Sequence, residues 1–263
     1  MNPSLNGKKI AVVGLGVSNL SAVRYLLRHD LRKITLFDTR QQPPRLSEFP
    51  SGIDVRLGDL CAAVLCEYDM IVLAPGISIF NEEIAKAAAR GVEVVGDVEL
   101  FARVAKAPVI GITGSNGKST VTALTTLMAQ HAGIRAIAAA NFGIPVFDAL
   151  NDDIGLYVLE LSSFELETTE SLKLKSATIL NVSEDHLDRY HGSLEEYAKA
   201  KQRIFKHAET AIVNRNDPRT VPYRQLPQAS FGTDGLCYGR IKENGGEIFL
   251  GDCGEKIINV RDL

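Results

Sequence analysis

Residues 107–121 read APVIGITGSNGKSTV, and this stretch decides the fold. A short apolar run, Val109 to Ile112, leads into Gly114-Ser115-Asn116-Gly117-Lys118-Ser119. A helical pattern, STVTALTTLMAQHAG, follows and stops at Gly133. Strand, glycine turn and helix in that order present a helix N-terminus to a phosphate. The glycines let backbone N–H groups converge on phosphate oxygens. Lys118 adds a point charge for the β/γ-phosphates, and the Ser119 hydroxyl can reach Mg2+. The strict spacing of such loops places their first glycine at position 112, which is Ile112 here; Gly114 is the companion to Gly117.

The same alternation extends in both directions. Upstream, the strand KKIAVVG enters a glycine turn and a helix to about His29, and the strand KITLFD ends on Asp38. Short strands are predicted at IDVRLGD and MIVLA, and the helix NEEIAKAAARG closes at Gly91. A new unit begins between Val94 and Ala107 with the helix VELFARVAK. Beyond the central helix lie strands IAAAN, LYVLELSS and ATILNV, then a helix from Ser193 whose Glu196 suggests a capping box. After Glu209 the character changes to short strands: AIVN, ASFG, CYGRI, EIFLG and KIINV, with a turn at Asn244-Gly245-Gly246. The reading is α/β: a Rossmann-like parallel-sheet domain over 1–96, then a central phosphate-loop α/β domain with added short strands over 97–263.

The bulk properties narrow the partners. A chain of 263 residues fits two domains. A net charge of −3 without a basic run argues against nucleic acid. The apolar stretch Ile10–Val13 is too short for a signal core, and no segment is long enough for a membrane span. Cys61, Cys66, Cys237 and Cys253 form no C-x-x-C pair and no zinc spacing, so reduced thiols in a cytoplasmic protein are expected. His29, His131 and His207 fall in helical segments and read as surface residues.

Three further places carry chemistry. The turn Gly14-Leu15-Gly16-Val17-Ser18-Asn19 resembles a dinucleotide fingerprint whose third glycine is Asn19, and Asp38 stands where a ribose-binding acid belongs. Glu160 in YVLELSSF is a charge in a buried strand; it either holds a metal or sits at the strand's exposed end. Asp185, His186 and Asp188 cluster after a parallel strand, where α/β sheets bind ligands; helix capping by Ser183 or Asp185 is the alternative.

GITGSNGKST, LELSSFELE and NVSEDHLDRY, in this order, resemble the ATP-dependent Mur ligases, from about Gly7 to the chain end. The first motif is common to the superfamily. LELSSFELETT and SEDHLDRY resemble the D-glutamate-adding branch, as do Asp38-Thr39-Arg40 and Pro75-Gly76-Ile77. The resemblance implies an amide ligase of peptidoglycan precursor synthesis with ATP and Mg2+, whose substrates are UDP-N-acetylmuramoyl-L-alanine and D-glutamate. It implies that Gly114, Ser115, Asn116, Gly117, Lys118, Ser119 and Thr120 bind ATP. Val17, Ser18, Asp38, Thr39, Arg40, Gly76, Asn141 and His186 would face the UDP-substrate. Ser119 and Glu160 would serve one Mg2+; His186 and Lys201, the lysine as a carbamate, would serve a second. Lys118, His186 and Lys201 would be catalytic.

Two positions depart from the family pattern: Ala74 stands where serine is usual, and Ala139-Ala140 where glycines are common. These ligases also carry a third, C-terminal domain. Nothing in the 263 residues corresponds to it, so the chain is expected to hold the UDP-substrate, as a monomer, without completing the reaction. A non-catalytic nucleotide-binding module and a ligase for another amino acid stay open as alternatives.

Overall fold

The computed structural model describes residues 5–232 and the strand residues 239–241, 247–250 and 255–259. Cys237, Cys253 and the turn expected at Asn244-Gly245-Gly246 lie outside the described residues.

Five parallel strands form the first sheet: β1 (Lys9–Val13), β2 (Lys33–Asp38), β3 (Asp54–Leu57), β4 (Met70–Leu73) and β5 (Glu93–Val95). Their spatial order is β3-β2-β1-β4-β5. Helices α1 (Val17–Leu26), α2 (Ala62–Leu65) and α3 (Glu82–Ala89) connect them. β4 is apolar and buried along its whole length, as a strand covered on both faces must be. Asn81 caps α3 by accepting from the N–H groups of Glu83 and Ile84. The chain reverses beyond α3 at Gly91, φ +92°.

The second unit starts with α4 (Asp97–Ala102) and β6 (Val109–Thr113), then α5 (Lys118–His131), β7 (Ala136–Ala140), α6 (Val146–Ala149) and β8 (Leu156–Glu160). It continues with α7 (Ser163–Glu167), β9 (Ser176–Ile179), α8 (Leu194–Gln202), β10 (Ala211–Asn214) and β11 (Gln228–Phe231). The order β11-β10-β9-β6-β8-β7 is parallel throughout. The strands AIVN and ASFG thus extend this sheet, although their surroundings read as a change of character. β12 (Gly239–Ile241), β13 (Glu247–Leu250) and β14 (Glu255–Asn259) form a separate antiparallel sheet.

One apolar core runs through both units and includes Leu26, Val98, Phe101 and Tyr157. On α1, Tyr25 stacks on Phe147 of α6 with centroids 4.2 Å apart. Beside it, Ser21 Oγ donates to Asp148 Oδ1 at 2.7 Å. Such a stacked pair contributes about 1 kcal/mol beyond its buried area.

Several local expectations change. His29 lies in the turn after α1, half-buried and edge-on to Tyr25, with a shielded and unpaired Nε2; His131 and His207 are exposed. Ser193 accepts from Glu196 N–H, but the Glu196 carboxylate turns to His191 Nδ1 instead of back to Ser193. The full capping box is at Ser162 and Glu165. Neither Ser183 nor Asp185 caps a helix: the 3-10 turn Leu187–Tyr190 begins at His186, φ +52°, without a side-chain cap. Among the described residues, Cys61 and Cys66 are free thiols, and no helix is long and apolar enough to cross a membrane.

Candidate active site at the domain junction

Each sheet opens a crevice where neighbouring connections leave its central strand in opposite directions, and ligands of α/β folds settle at such points. In the first sheet that point lies between β1 and β4. Gly14 turns the chain out of β1 at φ +92°. A Cβ there would come within 2.7 Å of the Ala74 Cβ and 2.8 Å of Ile77 Cδ1, so only glycine fits. Ala74, one of the two departures, therefore backs directly onto this turn.

Asn19, in place of the third glycine, is fully buried; its Nδ2 donates to the carbonyls of Val13 and Gly14 at 3.0 and 2.8 Å. It ties the turn to the strand. Asp38 is equally occupied by internal partners. Its Oδ2 accepts from Leu15 N–H (2.8 Å) and Arg40 Nη2 (2.7 Å), and its Oδ1 from Arg40 N–H (2.9 Å) and Nε (2.8 Å). Burial opposes its ionisation, but the Arg40 and Leu15 hydrogen bonds outweigh it and hold the carboxyl at about 2. In this state Asp38 fastens Arg40 and the turn and has no oxygen left for a ribose.

Val17, Ser18, Asp38, Thr39, Arg40, Gly76 and Asn141 all line one cleft of about 650 Å³ between the sheets. Its far wall is the stretch from Ala140 to Pro145. Ala140 takes φ +78°, a conformation that disfavours a Cβ and suits the glycine usual there. A larger hollow, about 780 Å³, lies at the other end of the central sheet among Lys106, Lys175 and Glu209. It is at the amino end of β6, away from the ends where such sheets bind ligands.

The phosphate loop follows β6. Ser115 N–H donates to the Asn181 carbonyl (3.0 Å) and Asn116 N–H to Asn181 Oδ1 (2.9 Å). Ser115 Oγ donates to the Ser183 carbonyl and accepts from Ser183 N–H. Residues 115 and 116 are thus strapped to 181–183, and their amides and the Ser115 hydroxyl are engaged within the protein. At the start of α5, Lys118, Ser119 and Thr120 have N–H groups without intrahelical partners. Gly117 makes that start possible at φ +82°.

Two lysines meet behind the loop. Lys118 Nζ donates to the carbonyls of Gly114 (2.9 Å) and Ser115 (3.0 Å), and Lys201 Nζ donates to the same Gly114 carbonyl at 3.0 Å. Lys201, from α8, is 1% exposed and lies over the Tyr197 ring at 4.4 Å. Burial, and then the charge of Lys118, push its pKa down to about 7.

Glu160 ends β8, in register with Ile112 one strand away, and is 1% exposed. Its Oε1 accepts from Asn141 Nδ2 at 2.6 Å, and its Oε2 is buried without a partner. Asn141 thereby belongs both to the cleft and to the edge of the phosphate-loop sheet. His186 stands apart: its side chain is half exposed, its ring rests against Phe164 at 4.9 Å, and no hydrogen bond or ion pair joins it to Lys201. Asp188 is exposed. Among the described residues, no three His, Cys, Asp or Glu side chains are grouped for a metal ion.

Two buried acids with raised pKa values were not singled out by the sequence. Burial, then the charge of Asp97, push Glu165 up to about 8; burial pushes Asp97 up to about 6. Glu165 also lines the cleft. Their only signal is carboxylates placed among apolar residues in GDVEL and SSFEL, which is indistinguishable from an exposed helix face until the helices are packed.

Fold and site together define a two-domain α/β protein of the phosphate-loop class, with a glycine-turn cleft on one sheet facing a phosphate loop on the other. The family model described as Mur ligase MurD-like, N-terminal domain, matches residues 8–96, and that described as Mur ligase middle domain matches residues 112–235. The chain belongs to the Mur ligase family. The UDP-N-acetylmuramoylalanine--D-glutamate ligases of Vibrio parahaemolyticus and Escherichia coli are 46% and 43% identical to it over 259 residues. Each alignment covers 98% of this chain and 59% of the relative, so the chain spans about three-fifths of their length. A solved UDP-N-acetylmuramate:L-alanyl-gamma-D-glutamyl-meso-diaminopimelate ligase from Neisseria meningitides shares the fold at TM-score 0.60 and 17% identity, over 95% of this chain and 86% of that one. The UDP-N-acetylmuramate-alanine ligase of Thermotoga maritima does so at TM-score 0.55 and 19% identity, over 95% and 59% of the two chains.

Proposed function

We propose that this chain is the UDP-substrate- and ATP-binding part of an ATP-dependent ligase that joins D-glutamate to UDP-N-acetylmuramoyl-L-alanine. Relatives at 43–47% identity carry that name. The observation that carries the reading is Asn141. It lines the cleft and donates to Glu160 beside the phosphate loop, so a ligand lying in the cleft ends where a nucleotide's phosphates would begin.

A carboxylate is a poor electrophile. In this reading its oxygen attacks the γ-phosphorus of ATP, ADP departs, and an acyl phosphate forms. The amine nitrogen of D-glutamate then attacks the acyl carbon, inorganic phosphate leaves, and the nitrogen loses a proton. The first step brings anions together, so the site must supply positive potential. Lys118 is poised for this, since its two bonds to loop carbonyls can be exchanged for phosphate oxygens. The free amides at the start of α5 add donors, and Arg40 at the cleft mouth faces the UDP end. Burial and the Lys118 charge lower the Lys201 pKa to about 7, which favours the neutral amine that the carbamate reading requires.

In this reading a divalent cation would take the bare oxygen of Glu160, with Ser119 supplying a hydroxyl. An unpartnered buried carboxylate oxygen is costly unless a cation takes it, and Mg2+ commonly uses one or two carboxylate or hydroxyl ligands with substrate phosphates. When bound, it would offset charge on the transferring phosphoryl group. A second cation at His186 and Lys201 does not fit these side chains as they stand, because no contact joins the half-exposed His186 ring to the buried Lys201 amine. Calorimetric titration with UDP-N-acetylmuramoyl-L-alanine tests the reading. Saturable one-to-one binding is expected, and no heat at millimolar ligand would overturn it.

A further inference from the structure

Arg189 bridges the two domains. Its guanidinium donates to the carbonyls of Pro75 (Nη1, 3.0 Å) and Ile77 (Nη2, 3.4 Å) on the first domain. The same group pairs with Glu167 of α7, at 2.5 Å from Nη2 to Oε2 and 3.3 Å from Nε to Oε1. The pair is shielded from water, with side-chain exposures of 9% and 4%. Tyr190 O–H donates to Glu167 Oε1 at 2.6 Å and fixes the carboxylate from a second side. The guanidinium lies 4.1 Å over the Phe164 ring, which also neighbours His186 at 4.9 Å and stacks on Tyr190 at 6.5 Å.

A shielded guanidinium satisfies its charge with one carboxylate but still has N–H donors that need acceptors. Here the acceptors are carbonyls of the Pro75-Gly76-Ile77 turn, which walls the cleft. That turn closes on itself through Ile77 N–H to the Ala74 carbonyl at 3.0 Å, and Arg189 holds it from outside. A rigid fork can grip two carbonyls and a carboxylate at once; a lysine ammonium cannot reproduce that geometry.

We infer that Arg189 is a positioning residue that sets the Pro75–Ile77 wall of the cleft against the Phe164–His186 face of the central domain. The inference rests on the reading of the cleft as the UDP-substrate site. Its consequence is selective: loss of the fork disturbs the ligand of the cleft and spares the ligand of the phosphate loop.

The test compares Arg189→Lys with Asp148→Ala, which breaks a different cross-domain hydrogen bond, to Ser21. Amide hydrogen exchange and calorimetry with UDP-N-acetylmuramoyl-L-alanine and with ATP are read for each. In Arg189→Lys the Ile77 amide is expected to exchange at least ten-fold faster. The UDP-substrate should bind at least ten-fold more weakly, with ATP affinity within two-fold of the parent. Asp148→Ala should leave Ile77 protection and UDP-substrate affinity within two-fold. Unchanged exchange and affinity in Arg189→Lys overturn the inference, and so does an equal loss of both ligands or an equal effect of Asp148→Ala. If the parent itself fails to bind the UDP-substrate, the reading of the cleft falls and Ile77 exchange alone judges the latch, with unchanged protection overturning it. Should Arg189→Lys not fold, Glu167→Gln removes the charge that seats the guanidinium and carries the same expectations.

Discussion

Lys201→Met is expected to abolish a stability increment that the parent gains between pH 7 and pH 10. The Lys201 amine is 1% exposed, and burial with the nearby Lys118 charge lowers its pKa from the ordinary 10.5 to about 7. Between those two values the unfolded chain carries a proton that the folded chain has released. Stability then rises with pH at about 1.4 kcal/mol per pH unit. Below pH 7 both states are protonated and the penalty for burying an ammonium stands in full, roughly 5 kcal/mol. It shrinks as pH rises through the window and is gone above the unfolded value. Methionine has nearly the same length and no titrating group. The parent should therefore gain roughly 4 kcal/mol on the variant from pH 7 to pH 10. Urea unfolding of both proteins at each pH, in carbonate-free buffer with EDTA, measures this difference. A difference that stays flat to within about 0.5 kcal/mol across the window would refute the reasoning, because an amine in water or firmly ion-paired shows no such slope.

Other substitutions probe the remaining parts. Lys118→Ala should weaken ATP binding by roughly 1.5–3 kcal/mol, the range for hydrogen bonds to charged groups, with little change in Tm; calorimetry showing equal ATP affinity would remove Lys118 from the phosphate site. Arg40→Ala should weaken UDP-substrate binding by about ten-fold or more and leave ATP within two-fold, since Arg40 lines only the cleft; a parallel loss of both ligands would make it structural. Ala140→Gly should raise stability by about 0.5–1 kcal/mol, because it relieves a Cβ at φ +78°; a lowered Tm would show that the strain is absent.

Most elements of the described fold follow from neighbours along the chain. The runs KIAVV, MIVL, VIGIT and LYVLE are apolar over a strand's length, and each is followed by a turn whose residues suit it. The reversals at Gly14 and Gly117 need φ values that side chains disfavour, so the glycines mark them in the sequence itself. Ser193 shows the limit of a local rule. Its cap formed, but the reciprocal half did not, because the Glu196 carboxylate pairs with His191; the full box is on a different helix, at Ser162 and Glu165. His29 read as a surface residue, yet Tyr25, itself stacked on Phe147, packs edge-on against it.

The sequence by itself determined the two parallel sheets, the phosphate loop and the residue types at the cleft, because each depends on periodicity and turn chemistry within a few residues. The tertiary structure alone decided which polar groups are already engaged. Asp38 is closed off by Arg40 and Leu15, the Ser115 and Asn116 amides are strapped to Asn181, and Glu160 keeps one oxygen bare. It alone decided that Lys201, and not Lys199, reaches the Gly114 carbonyl: α8 turns the first into the interior and leaves the second exposed. Partners of this kind lie tens of residues apart. Their pairing is fixed by how the two sheets pack, and burial then sets whether a charge is kept, shared or given up.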